Sequence, residues 1–117
     1  LVPRAGTTPH CADVPDTREF SRALTVAGKS SPNRHVRVAM AAEEARVETL
    51  GGETTIRASV PVLRSRGEVC EFGVNAKYLS DALAGVKTAT LTWADEYSPI
   101  RVDRPDGSLT LVMPVRL

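Results

Sequence analysis

Aromatic residues and long apolar runs are the scarcest features of this sequence. Aromatic side chains make up only 4% of the 117 residues, so the hydrophobic core must consist mainly of Val, Leu, Ile and Ala. No apolar run approaches the roughly 18 residues that a membrane-spanning helix requires. The sequence also does not open with the features of a secretory signal peptide, which are a charged segment, an apolar segment and a small-residue cleavage site in that order. The sequence therefore predicts a soluble, cytoplasmic protein.

Net charge is also nearly absent. Fifteen Lys and Arg residues stand against fourteen Asp and Glu residues, which gives a formal net charge of +1. A balance of this kind predicts no strong overall attraction to nucleic acid. Contact with DNA would therefore depend on basic residues that cluster locally.

Cysteine is too scarce for a disulfide framework or a zinc site. Cys11 and Cys70 permit at most one disulfide, and Cys70 lies in an alternating strand pattern where a buried free thiol is an ordinary occupant. Neither cysteine belongs to a Cys-x-x-Cys pair. No glycine-rich phosphate loop is present, and the adjacent Asp95 and Glu96 would point to opposite faces of a strand. The sequence therefore predicts no metal, no cofactor and no enzymatic activity.

The chain is expected to hold one domain behind a short leader. Leu1–Arg4 resembles the linker that thrombin cleaves, and we interpret residues 1–7 as a tag or disordered leader. The remaining residues, 8–117, have the length of one domain, and 42% hydrophobic residues suffice for a core.

The order strand, helix and three strands occurs twice along the chain. The first helix is predicted to begin at Asp16, which forms a capping box with Glu19, and the second is predicted to begin at Asn75. Within the helices, Phe20–Leu24 and Leu79–Leu83 have similar residues at equivalent positions. This repetition predicts an α+β domain made of a duplicated βαβββ unit, with two helices packed side by side on antiparallel sheet.

Apolar spacing and glycines define the ends and faces of the two helices. Tyr78 falls with Leu79 on the apolar face of the second helix, and Gly85 is predicted to end that helix. Gly28 is predicted to help end the first helix, together with the polar cluster that follows it.

Alternation and turn residues define the strands. The last strand is predicted to carry Leu109, Leu111 and Met113, after a hairpin turn at residues 105–107. The polar segment 61–67 is interpreted as a crossover between the two halves.

Three segments of the second half carry a resemblance to a known family. Asn75–Leu83, Tyr97–Pro99 and the terminal Val112–Leu117 resemble the closing domain of the bacterial sliding clamp, the beta subunit of DNA polymerase III. The terminal hexapeptide is the most specific of the three, whereas residues 8–67 match only in element order. In that family each domain is a duplicated βαβββ unit, and three domains in each of two chains close a ring around duplex DNA. This chain holds one such domain.

The resemblance implies a groove that binds short linear motifs of polymerases and repair proteins. Val115 stands in place of the second Met of the usual terminal motif, and Val74 stands where Phe is usual. The Met113 thioether suits a groove that accepts different apolar side chains. Composition alone favours the interpretation that Val112 and Met113 belong to the core of an edge strand, and the terminal motif reverses that preference. The groove residues implied here are Tyr97, Pro99, Val112, Met113, Pro114, Val115, Arg116 and Leu117.

The resemblance also implies that the two helices face duplex DNA when domains assemble in a ring. Phosphate contact of this kind is independent of base sequence and sensitive to salt. The basic residues on or beside the helices equally fit a solvated face. They are Arg18, Arg22, Lys29 and Lys77.

Two function classes follow from these features. The first is a replication clamp domain, a non-catalytic scaffold that tethers polymerase and repair proteins to DNA, with neighbouring clamp domains or further copies of itself as partners. The second is a clamp-like ligand- or partner-binding module of a transcriptional regulator, for example one fused to a helix-turn-helix. The upstream sequence of a longer parent protein would separate them, since clamp domains there favour the first and a helix-turn-helix favours the second.

Overall fold

Ten strands and two helices form two antiparallel sheets with a helical layer, in a computed structural model that describes residues 10–64 and 70–117. The interpretation of residues 1–7 as a leader lies outside these residues. The elements in chain order are β1 (His10–Val14), α1 (Thr17–Lys29), β2 (His35–Met40), β3 (Glu44–Thr49), β4 (Arg57–Pro61), β5 (Leu63–Arg64), β6 (Cys70–Asn75), α2 (Ala76–Leu83), β7 (Ala89–Trp93), β8 (Ile100–Asp103), β9 (Leu109–Val112) and β10 (Pro114–Val115).

Each sheet contains strands from both halves of the chain. The first sheet has the order β5-β1-β7-β8-β9 and the second has the order β10-β6-β2-β3-β4. The opening strand of each half therefore joins the three later strands of the other half, and each half ends in a two-residue strand that pairs with its own opening strand. This arrangement confirms the predicted duplication of a βαβββ unit, with two five-stranded sheets.

Both helices begin where the sequence predicted. The Asp16 carboxylate accepts hydrogen bonds from backbone N–H groups in the first turn of α1 at 3.0 and 3.2 Å. The Asn75 side chain does the same for α2, at 2.9 and 3.3 Å. After α2, Gly85 has a φ of +82°, a conformation that glycine adopts without steric penalty at helix ends.

The two helices lie side by side and run in opposite directions. At one end the Thr17 N–H donates to the Lys87 carbonyl at 3.0 Å, and at the other end the Ala76 N–H donates to the Arg34 carbonyl at 2.7 Å. Gly28 allows this approach, because a Cβ there would lie 2.8 Å from the Ala76 Cβ. The helix ends one residue after Gly28, at Lys29, with Ser30 of the predicted polar cluster as its C-cap. Gly28 also makes room for the neighbouring helix, a role that the sequence did not indicate.

The core lies between the helices and the inner faces of the sheets, where α1 packs on β2, β3 and β4 and α2 packs on β6 and β9. Three of the five aromatic residues, Phe20, Phe72 and Trp93, are buried, and aliphatic side chains fill the rest. The Phe72 and Trp93 rings meet edge to face at 5.2 Å, and the free thiol of Cys70 accepts from the indole N–H at 3.3 Å. These contacts join the two sheets.

Two details of the predicted strands are corrected. The described part of segment 61–67 crosses between the sheets as predicted, since Pro61 ends β4 and Leu63 pairs with β1 in the other sheet. The segment is not polar throughout, because Val62 is buried. Residues 65–67 lie outside the described residues. In the last strand, Leu109 and Leu111 are exposed because the opposite face of β9 packs inward.

Neither helix in the described part of the chain is long and apolar enough to cross a membrane.

Candidate functional site

The C-terminal segment passes from one sheet to the other. It leaves β9 after Val112, which is 4% exposed and packs into the core, and then pairs antiparallel with β6 through Pro114 and Val115. Proline has no N–H to donate, and an edge strand tolerates this loss. The sequence alternative that Val112 is core therefore holds, whereas Met113 lies between the two strands and is 65% exposed.

Gly73 of β6 sets how closely the terminal segment can lie. A Cβ at this position would lie 2.7 Å from the Val115 carbonyl oxygen and 3.1 Å from the Leu117 Cδ2. Real side chains do not approach this closely, so only glycine permits the observed contact. Gly73 is buried under the chain terminus, and the sequence alternation alone did not indicate this role.

The loop between β7 and β8 presents Tyr97 beside the chain terminus. The Asp95 carboxylate accepts hydrogen bonds from the Tyr97 N–H at 2.8 Å and from the Ser98 hydroxyl at 2.9 Å, which holds the loop in a turn. The Tyr97 side chain is 72% exposed and the Leu117 side chain is 41% exposed. The structure brings Tyr97 together with Arg116 and Leu117 around a shallow depression that Glu96 also lines.

Pro99, Pro114 and Val115 are half-buried, so each presents part of its surface to solvent. Met113 is exposed and Val112 is buried. Of the predicted groove residues, the structure brings Tyr97, Arg116 and Leu117 together around one depression.

Tyr78 is the exposed aromatic residue that sequence reasoning placed on the wrong side. It was predicted on the apolar face of α2, but its side chain is 61% exposed. Successive helical residues are separated by about 100°, so Tyr78 lies away from the face that Leu79 buries. The buried residues of α2 are Ala76, Leu79, Ala82 and Leu83. The sequence did contain a signal for this position. With the N-cap at Asn75, the helical spacing of apolar residues runs from Ala76 to Leu79 and Leu83, and Tyr78 falls outside it.

The four basic residues predicted to face DNA are all exposed on the helical layer. One face of α1 carries Arg18, Arg22 and Lys29, because they are separated by about one helical turn and then by about two turns. Lys77 on α2 forms a salt bridge with Asp81 at 2.9 Å, and both side chains are more than half exposed. Such a pair contributes little to stability.

Two further cations belong to this layer and were not identified from the sequence. Arg34 follows α1 and Lys87 follows α2, and both are exposed. Each lies next to the start of the opposite helix, since the Arg34 carbonyl accepts from the Ala76 N–H and the Lys87 carbonyl accepts from the Thr17 N–H. Only the antiparallel packing of the helices places them there.

Across residues 10–64 and 70–117, no group of three or more His, Cys, Asp or Glu side chains lies close enough to hold a metal ion.

The comparisons with solved structures identify the fold. The Pseudomonas aeruginosa DNA polymerase sliding clamp with ligand matches with a TM-score of 0.85 at 23% identity, over 100% of this chain and 33% of that chain. The sliding clamp of the same organism bound to griselimycin matches with a TM-score of 0.83 at 22% identity, over 100% and 32%. The Caulobacter crescentus beta sliding clamp with PEG in its beta-motif tethering region matches with a TM-score of 0.85 at 25% identity, over 99% and 32%.

No protein-family model matches the sequence, and no curated protein matches it either. The chain spans about a third of the length of the clamp chains that it matches. Its architecture is that of one sliding-clamp domain: two helices packed on two antiparallel sheets.

Proposed function

We propose that this chain is a sliding-clamp-type domain, a non-catalytic scaffold that holds partner proteins on DNA. The observation that carries the proposal is the terminal segment, which lies at the edge of the second sheet. Its Met113 is exposed, and its Leu117 is exposed beside Tyr97. The match of the whole chain to one clamp domain supports it. The three matching clamps described above carry bound molecules: a ligand in the first, griselimycin in the second, and PEG in the beta-motif tethering region of the third.

The terminal segment has the properties of a peptide-docking surface. Met113 has a flexible and polarisable side chain that adapts to different apolar anchors, and Pro114 fixes the local backbone. Tyr97 offers a broad apolar ring with a hydroxyl, a residue type that is enriched at interface hot spots. A short partner motif with Leu or Phe anchors fits this chemistry. Tyr78, at the start of the helix that follows β6, is a further candidate residue of this docking surface.

The experiment is a titration of a clamp-binding peptide into the wild type and two variants. Met113→Ala should weaken binding by about 1–2 kcal/mol, the range for loss of an apolar contact at an interface. Leu63→Ala is the matched control, because Leu63 is exposed on β5, the two-residue strand that closes the first half as β10 closes the second. Melting curves of both variants exclude unfolding. Equal affinity of Met113→Ala and wild type would contradict the proposed docking surface.

Contact with DNA is proposed for the helical layer in an assembled ring. The isolated chain should bind duplex DNA weakly, and the affinity should fall as salt rises. Arg22→Gln should lower the slope of log affinity against log salt by about one, as expected for one lost phosphate contact. Arg46→Gln is the control, since Arg46 lies on β3, where it pairs with Glu44 at 3.1 Å. Tight, salt-resistant binding by the isolated chain would instead favour a base-reading regulator.

Assembly is proposed through the long edge strands, β4 in one sheet and β9 in the other. Exposed backbone groups of an edge strand are available for pairing with another chain or domain. The exposed Leu109 and Leu111 would add apolar contacts on β9. Leu111→Lys should therefore reduce self-association in sedimentation at high protein concentration, and a wild type that stays monomeric under the same conditions would contradict this part of the proposal.

A further inference from the structure

A groove of about 650 Å³ separates the end of α1 from the start of α2. Its floor is built from small residues, because Gly28 and Ala76 lie at the closest approach of the two helices. A floor without long side chains leaves the groove open to a ligand. The polar residues that line it are Thr25, Lys29, Ser31, Arg34, Lys77, Ser80 and Asp81.

Arg34 is held in this groove by an uncommon backbone conformation. Its φ is +59°, and it is the non-glycine residue with positive φ in the described part of the chain. Both backbone groups are fixed, since its N–H donates to the Ser31 carbonyl at 3.2 Å and its carbonyl accepts from the Ala76 N–H at 2.7 Å. Glycine would adopt this conformation without steric penalty. An arginine here therefore points to a use for its side chain.

The groove carries excess positive charge. Lys77 pairs with Asp81 at 2.9 Å, whereas Lys29 and Arg34 have no salt bridge among residues 10–64 and 70–117. The hydroxyl groups of Thr25 and Ser80 add hydrogen-bond donors on the facing helices. Two unpaired cations with hydroxyl donors across a narrow groove are suited to an oxyanion.

We propose that this groove is a discrete binding site for a phosphoryl group, with Arg34 and Lys29 as its principal cations. A guanidinium donates two parallel hydrogen bonds to a phosphate, and an ammonium adds a compact charge from the other side. The phosphoryl group belongs either to a free phosphate compound or to a nucleic-acid backbone. In the second case the inference rests on the DNA contact proposed above, and in the first case it is independent of it.

The opposite end of the helix pair supplies an internal control. There the start of α1 meets the segment after α2, and a depression is lined by Asp16, Arg18 and Lys87 among others. The Asp16 carboxylate already accepts the hydrogen bonds of the α1 N-terminus and places a negative charge at this end. Phosphoryl binding should therefore be specific to the Arg34 end.

The first test follows the backbone amide signals of the ¹⁵N-labelled chain by NMR while inorganic phosphate is added at constant ionic strength. Saturable shifts are expected at Thr25, Lys29, Arg34 and Ser80. Arg34→Gly retains the backbone conformation and removes the cation, and it should weaken phosphate binding about tenfold, as expected for a charge-assisted hydrogen bond. Lys87→Gln should leave phosphate binding unchanged. Shifts that do not saturate, or that respond equally to both variants, would overturn the inference.

A second titration separates the two sources of the phosphoryl group. Short duplex DNA is added to the phosphate-saturated chain. Displacement of phosphate from the Arg34 end identifies the DNA backbone as the natural source. If phosphate binds as expected and the duplex leaves its signals unmoved, the site takes a free phosphate compound. The proposed DNA contact of the helical layer is then decided separately, by the salt dependence of the Arg22→Gln variant.

Discussion

Replacing Gly73 with Ala tests whether the terminal segment is positioned by close packing on β6. The new Cβ would lie 2.7 Å from the Val115 carbonyl oxygen, 3.0 Å from the Val115 Cγ2 and 3.1 Å from the Leu117 Cδ2. The first of these contacts is with backbone, so it cannot be relieved by a rotamer change. The segment that pairs Pro114 and Val115 with β6 must move outward.

The expected loss follows from the contacts that this movement breaks. Over-packing at a buried position typically costs about 1–3 kcal/mol. Each hydrogen bond lost from the short edge strand contributes about 0.5–1.5 kcal/mol. Gly73→Ala should therefore lower the free energy of unfolding by roughly 1–3 kcal/mol if β10 stays attached. If β10 detaches instead, the loss is limited to its own contacts, and the docking surface around Met113 is lost.

The assay is a double-mutant cycle with a chain that ends at residue 114 and so lacks Val115, Arg116 and Leu117. Urea denaturation of the four proteins gives their free energies of unfolding. In the shortened chain, Gly73→Ala should be neutral or stabilising by about 0.5–1 kcal/mol, because alanine loses less backbone entropy than glycine on folding. An equal destabilisation in the full-length and shortened chains would refute the role assigned to Gly73. Peptide titration of full-length Gly73→Ala then reports the docking surface directly.

Three further predictions concern other parts of the fold. Asn75→Ala should lower the free energy of unfolding by about 1 kcal/mol, because it removes the acceptor for two N–H groups of α2, and thermal melting against Asn75→Asp provides the check. Leu24→Ala, at a fully buried position, should cost about 2–5 kcal/mol in urea denaturation, and a loss below 1 kcal/mol would contradict its place in the core. The Ser108 hydroxyl and N–H donate to Asp106 and lower the pKa of that carboxyl. These hydrogen bonds therefore stabilise the folded state above the ordinary carboxyl pKa, and this contribution is lost as pH falls through the lowered pKa. An NMR titration in which Ser108→Ala leaves the Asp106 pKa unchanged would contradict this cause.

Much of the fold could be predicted because its signals are local. Asp16 and Asn75 were identified as caps since a side-chain acceptor next to an apolar helical pattern acts within one turn. The duplicated order of elements followed from the same kind of pattern. Exposure at helix boundaries was less certain, and Tyr78 shows why, because a residue one position from Leu79 lies about 100° around the helix.

The candidate sites needed information that no local pattern carries. Gly28 and Gly73 are required by segments far away in sequence, Ala76 for the first and Val115 for the second. Arg34 and Lys87 join the helical layer only because the helices run in opposite directions. In each case the deciding contact is between residues that are distant in the chain.

By itself, the sequence determined the types and order of the longer elements, their duplication and the helix caps, since alternation, spacing and hydrogen bonding within a turn act between near neighbours. Only the tertiary structure decided that β1 and β6 each join the later strands of the other half. It also decided that Leu63 and Pro114 lie in a different sheet from the strand that precedes each of them. Met113 is exposed and Val112 is buried for the same reason, because the chain changes sheets between them. Strand exchange is decided by two opposing contributions to the free energy of folding. Burial of apolar surface favours a given long-range pairing, and the entropy lost on closing the loop between the strands opposes it. That balance is a property of the whole domain.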